Sequence, residues 1–216
     1  MVERSSKVLG TVRRKSGRDL PSADVQAKFH CSWRVTWKAA QTRLSEKSIT
    51  LVRNRDNQLP LDPQKVKRIL LHLAINPVPG WKDSLDVLKD CLIARGIELT
   101  VLENGNSLDV LNREAAGERW DAWIVVFSLQ IHQMKNTVRP VGPMAEVMLT
   151  LQNAETVRPV VVSLGIPFSL REMPFLDTLI NAYPPSRATA QALDRCLFGA
   201  ADFTRFSPVD VGDDWI

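Results

Sequence analysis

The sequence predicts an α/β fold: a three-layer sandwich built on a doubly wound, largely parallel sheet of five or six strands. Three observations predict it. Apolar runs of strand length occur at residues 68–74, 122–127 and 159–164. Each is apolar at consecutive positions, which marks strands buried on both faces. Amphipathic helical patterns separate these runs, so the strands follow one another in β-α-β order. Right-handed crossovers then place helices on both sides of the sheet.

The elements follow in order. Residues 1–24 are polar and basic, with Gly10, Gly17 and Pro21, and are expected to form a flexible tail. Residues 25–47 are expected to form a linker helix, with Trp33, Trp37, Ala40 and Leu44 on one apolar stripe. The domain proper is then 48–216. It opens with a strand at Ile49–Arg53. Arg68–Ala74 is a buried strand bounded by Pro63 and by Asn76-Pro77. Residues 82–95 form a helix with Leu85, Leu88, Leu92 and Ile93 on one face and Gly96 as its stop. A strand follows at Ile97–Leu102, and Ser107 caps a short helix running to about Ala116. Ala122–Phe127 is the central strand. Met144–Asn153 is helical, Pro159–Leu164 is a buried strand, and Leu179–Tyr183 is a last short one. Ser186 caps a final helix that faces Leu193 and Leu197 inward and ends at Gly199.

Composition bounds the function classes. The 216 residues suffice for one domain that folds without a metal or disulfide. The net charge of +4 sits largely in the tail, at Arg4, Lys7, Arg13, Arg14, Lys15 and Arg18. A basic triplet in a tail gives nonspecific phosphate attraction only, so no nucleic-acid partner is expected. Cys31, Cys91 and Cys196 form neither a disulfide framework nor a ligand cluster, which favours a reducing, cytoplasmic setting. Cys91 and Cys196 fall within apolar helical patterns, where a thiol behaves as a small hydrophobe. No apolar run is long enough to cross a membrane, and no secretory leader follows the basic start.

Several blocks carry a resemblance. Ser48-Ile49-Thr50-Leu51-Val52-Arg53-Asn54, a polar turn and then Leu59-Pro60-Leu61 form the first. Pro159–Leu164 runs into Gly165-Ile166-Pro167-Phe168-Ser169-Leu170, and Ala182-Tyr183 follows a strand. Ala192-Leu193 precedes Cys196-Leu197-Phe198-Gly199, and Phe206-Ser207-Pro208-Val209 comes last. In order and spacing these blocks resemble the C-terminal α/β domain of family 3 glycoside hydrolases, over roughly residues 38–211. The β-N-acetylhexosaminidase branch is the nearer likeness, because Ser128-Leu129-Gln130 follows the central strand where the glucosidase branch often has Gly-Glu. The chain departs from the pattern at Phe168, where the family has Tyr. It also lacks the Gly that precedes Leu-Pro-Val, and Ser207 stands in place of that Leu.

The resemblance implies a division of labour. Retaining glycosidases need a nucleophilic carboxylate and a proton donor flanking the bond at about 5 Å. In this family the nucleophilic Asp lies on a (β/α)8 barrel. In the hexosaminidase branch a Lys-His-x-x-Gly-x-Gly loop and an Asp-x-His, also on the barrel, supply the proton. Neither motif occurs among these residues. The expectation is therefore no catalytic residue, no metal and no cofactor in this chain, with a barrel domain or subunit as partner and carbohydrate as its ligand. The alternative is a stand-alone sugar- or protein-binding module without activity; a third reading is a nucleotide-binding flavodoxin-like protein.

The remaining candidates are few. Gln130 and His132 follow the central strand, near the crevice where doubly wound folds bind ligands, and are the substrate-proximal candidates. Against this, a loop histidine is usually solvated. His72 lies inside a buried strand and reads as a core residue rather than an acid or base. Gly165 lacks the further glycines of a dinucleotide loop and reads as a turn. Asp213-Asp214 and Glu172 have no partner ligands and read as surface charge. Trp33 and Trp37 could stack on sugar rings, but one helical turn apart they read as an apolar face.

Overall fold

The computed structural model describes residues 37, 39–75, 81–104, 107–115, 117–129, 143–152, 157–183 and 185–204. The chain divides into two compact units, Met1–Ala40 and Gln41–Ile216, and the sheet lies in the second. The expected tail, Cys31, Trp33 and the segment 205–216 fall outside the described residues.

Among the described residues the second unit holds, after a helical stretch at 41–48, the elements β1 (Thr50–Asn54), β2 (Arg68–Ile75), α1 (Trp81–Ala94), β3 (Glu98–Glu103), α2 (Ser107–Ala115), β4 (Ala122–Leu129), α3 (Pro143–Gln152), β5 (Pro159–Gly165), β6 (Thr178–Asn181) and α4 (Arg187–Leu197). A 3-10 helix, Pro167–Glu172, joins β5 to β6. The sheet order is β1-β6-β5-β4-β2-β3. Five strands are parallel, and β1 pairs antiparallel with β6 at one edge.

The continuous apolar runs behave as anticipated. Val160, Val161 and Val162 are all fully buried, as are Ile124, Val125, Val126 and Phe127. Alternate residues feed two cores. One side gathers Leu71, Leu73, Ile124, Val126 and Val162 with Leu88 and Leu92 of α1 and Leu193 and Leu197 of α4. The other gathers Leu70, Trp123, Val125, Phe127 and Val161 with Val110 of α2 and Val147 and Leu151 of α3. Helices therefore cover both faces, which makes the three layers. Strands buried on two sides cannot tolerate alternation, and their composition reports that directly.

The helix ends are set by local chemistry. Ser186 takes an extended conformation and its hydroxyl accepts from the Thr189 amide at 3.0 Å, the cap expected there. Beyond α4, Gly199 has φ +70°, and a Cβ added to it would lie 3.1 Å from Pro60, so the turn needs glycine. The helices are pinned to each other by charge. Arg95 donates to both carboxylate oxygens of Asp194, at 2.7 and 2.8 Å, and its guanidinium lies 4.4 Å from the centre of the Phe198 ring.

Some expectations need correction. Ile93 does not share the buried face of α1; it is exposed, because the i+8 position from Leu85 has drifted round the helix. In the helical stretch at 41–48, Leu44 is 65% exposed, whereas Ser45 is buried and Glu46 pairs with Arg195. Trp37 is likewise exposed. The polar contact to α4 sets the rotation of 41–48 and overrides its apolar stripe. β6 stops at Asn181 rather than Tyr183, whose φ of +40° breaks the extended chain.

At the amino-terminal edge of the sheet, the Asp121 carboxylate accepts from the amides of Lys67 and Arg68, both at 2.8 Å. The Lys67 amide foremost, and then the Arg68 amide and charge, hold this carboxyl below its ordinary range. A depressed carboxyl contributes stability that is present above its unfolded value and lost as pH falls through the folded one. Asp121 is exposed, so solvent screening keeps the effect small. Asp121→Ala is expected to lose about 1 kcal/mol near neutral pH. Urea denaturation of both proteins at falling pH should show their difference closing only in the acid range.

Candidate functional site

The topology itself marks one crevice. The chain leaves β2 into α1 on one side of the sheet and leaves β4 into α3 on the other. β2 and β4 are neighbours, so their carboxyl ends part into the switch point where open α/β sheets bind ligands. The residues that emerge there, 76–80 and 130–142, fall outside the described residues. Gln130 and His132 are among them, directly after Leu129 at the end of β4.

The neighbouring strand ends are described. Gly165 closes β5 with φ +111°, so the turn uses the freedom that only glycine has. The Ser163 hydroxyl donates to the Ile166 carbonyl at 2.9 Å, and the Ala182 amide donates to the Ser163 carbonyl at 2.9 Å. The first bond folds the Gly165 turn back over the end of β5, and the second continues the β5–β6 pairing past Asn181. Asn181 is fully buried at the end of β6, and its amide group has no hydrogen-bond partner among the described residues. Tyr183, two residues on, combines its left-handed backbone with an enclosed hydroxyl that also has none. Tyr183 stood out only as part of the Ala182-Tyr183 block and Asn181 not at all, because burial of a polar side chain is a property of the packed sheet.

The motif residues prove to be folding devices. Arg53 is buried, and its guanidinium donates to the carbonyls of Pro174 and Leu176 at 3.2 and 2.8 Å, tying β1 to the connection before β6. Asn54 accepts from the Leu59 amide at 3.2 Å and donates to the Leu59 carbonyl at 3.0 Å. This closed pair of bonds fixes the turn before Pro60. A side chain engaged at both ends of its amide is not available to a ligand.

The other chemically able groups are accounted for by the core. His72 is fully buried and stacks on Trp123, with ring centres 6.3 Å apart and planes 8° from parallel. Burial pushes the Cys196 thiol up to about 11. Cys91 is half-buried rather than buried; desolvation, followed by the Asp194 charge, raises its thiol as well. Both therefore stay protonated near neutral pH and are poor nucleophiles. Among the described residues no group of three or more His, Cys, Asp or Glu could hold a metal ion, and no helix is long and apolar enough to cross a membrane.

A sheet of this order, with helices on both faces and one antiparallel edge strand, defines a mixed α/β sandwich domain. Known proteins make the class specific. No family model matches the chain. A β-N-acetylglucosaminidase/β-glucosidase from Cellulomonas fimi is 27% identical over 184 residues, covering 80% of this chain and 32% of that protein. A solved β-glucoside phosphorylase, BglX, is also 27% identical, with a TM-score of 0.64 over 92% of this chain and 35% of the other. A family 3 β-N-acetylglucosaminidase from a Paenibacillus strain shares the fold at 19% identity and TM-score 0.55. The chain spans about a third of the curated relative it matches. Its relatives in sequence and structure are thus β-glucosidases, β-N-acetylglucosaminidases and a β-glucoside phosphorylase of the family 3 type, and a match to about a third of their length is consistent with a partial, C-terminal-type domain.

Proposed function

We propose that the chain is a non-catalytic C-terminal domain of a family 3 glycoside hydrolase, most like the β-N-acetylhexosaminidase branch. It supports a (β/α)8 barrel that hydrolyses O-glycosidic bonds, and the loop holding Gln130 and His132 lies toward that barrel's sugar site. The observation that carries this reading is where the likeness falls. It covers most of this chain and only about a third of each relative, and the nucleophile and proton-donor motifs expected of the family do not occur among these residues. The chemistry agrees. Several described titratable groups are committed to folding: Asp121 to two amides, Asp194 to Arg95, Glu46 to Arg195, His72 to the core. Groups of this kind, spent on the chain's own architecture, suit a supporting role.

The reading is tested with the purified chain and aryl β-glycosides, including aryl β-N-acetylglucosaminides. No turnover above the uncatalysed rate is expected. Turnover that co-purifies with the folded chain and is lost on substitution of one of its own carboxylates would overturn the reading.

A further inference from the structure

We infer that the outer face of α3, together with Phe175, is the surface on which the barrel domain docks; this rests on the proposed function and adds to it the face that is used. Ala145, Val147, Met148, Leu149 and Leu151 spread apolar side chains well beyond the core side of α3, interrupted by Glu146, Thr150 and Gln152. Val147 and Leu151 fill the core, as expected of a covering helix. Leu149 nevertheless points outward at 58% exposure, beside Phe175 at 38%. Ala145, Met148, Leu149, Gln152 and Phe175 line one shallow, uncharged groove. Apolar side chains on the outer side of a surface helix, where polar ones are the rule, mark a surface that packs against a further element.

The lining also selects the occupant. It carries no charge, so nucleic acid or an anionic membrane gains nothing there. Five side chains fall well short of the roughly 800 Å² per partner that a free complex buries. A second copy would therefore be held poorly. A domain joined by the same backbone meets the patch at an effective concentration on the order of millimolar, where a small apolar contact suffices. In the relatives, about two thirds of the polypeptide is tethered to the matched region, so such an occupant is at hand.

The test uses a chimera in which the full chain replaces the matched third of the Cellulomonas fimi relative. Hydrogen exchange is compared between chimera and free chain. The α3 amides are expected to exchange about tenfold more slowly in the chimera. Leu149→Glu should return them to the free-chain rate while leaving the melting temperature of the free chain unchanged. Protection confined to α1 and α4 would overturn this face and leave the barrel reading intact. Protection nowhere, with two independent melting transitions, would overturn both. A concentration-dependent dimer of the free chain, abolished by Leu149→Glu, would assign the groove to a second copy instead.

Discussion

Phe127→Ala is expected to cost about 4 kcal/mol, the largest loss of any single substitution considered for this fold. Phe127 is fully buried on the central strand, with Ala74 and Ser163 as its register neighbours on β2 and β5. Both neighbours are small, so neither strand can fill the space that the ring vacates. Val147 and Leu151 of α3 and Leu170 and Met173 of the 3-10 connection belong to the same core. The loss combines transfer of the ring from water with a cavity that rigid parallel strands cannot collapse. Set against a total stability of roughly 5–15 kcal/mol, it leaves a marginal protein. Urea denaturation followed by tryptophan fluorescence checks this. A shift in midpoint corresponding to under about 1.5 kcal/mol would mean that this side of the sheet is loosely packed.

Asp194→Ala is expected to cost about 2–3 kcal/mol. The carboxylate is nearly buried, and it alone holds both ends of the Arg95 fork across the α1–α4 interface. Its removal strands a cation that is only partly exposed, which is what makes breaking such a pair costly. The estimate sits below the usual range because Arg95 retains contact with water and with Phe198. A pair of apolar residues, Arg95→Met with Asp194→Leu, should recover most of the loss, since no charge is then left without its partner. The thiol of Cys91 offers an independent readout. Asp194 is among the charges that raise it, so its titration should move down in the single variant. An unchanged thiol titration would place Asp194 farther from α1 than the paired geometry implies.

Much of this fold is legible in the sequence, for a definite reason. Strands such as Pro159–Gly165 lie between two helical layers, so their apolar continuity is dictated by burial and survives divergence. The Ser186 cap and the Gly96 and Gly199 stops are readable because each solves a backbone problem that few residues solve. The antiparallel placement of β1 and the exposure of Leu44 were not readable. They depend on pairings between residues far apart in the chain: Thr50 with Asn181, Arg53 with Leu176, Glu46 with Arg195. The site was least legible of all. Periodicity locates the ends of β2 and β4, but which groups meet there is decided by loops, and loop sequences carry no period. The buried amide of Asn181, without a partner among the described residues, makes the same point, since its register neighbours come from β1 and β5.

The division between scaffold and chemistry is tested most directly by complementation. Removing the matched third from the Cellulomonas fimi relative should abolish its hydrolysis of aryl β-glycosides, and installing this chain in its place should restore a measurable rate. Restoration that persists after His132→Ala would still place the reacting groups on the barrel. A correctly folded chimera that stays inert, beside an isolated chain that turns over the same glycosides, would contradict the account.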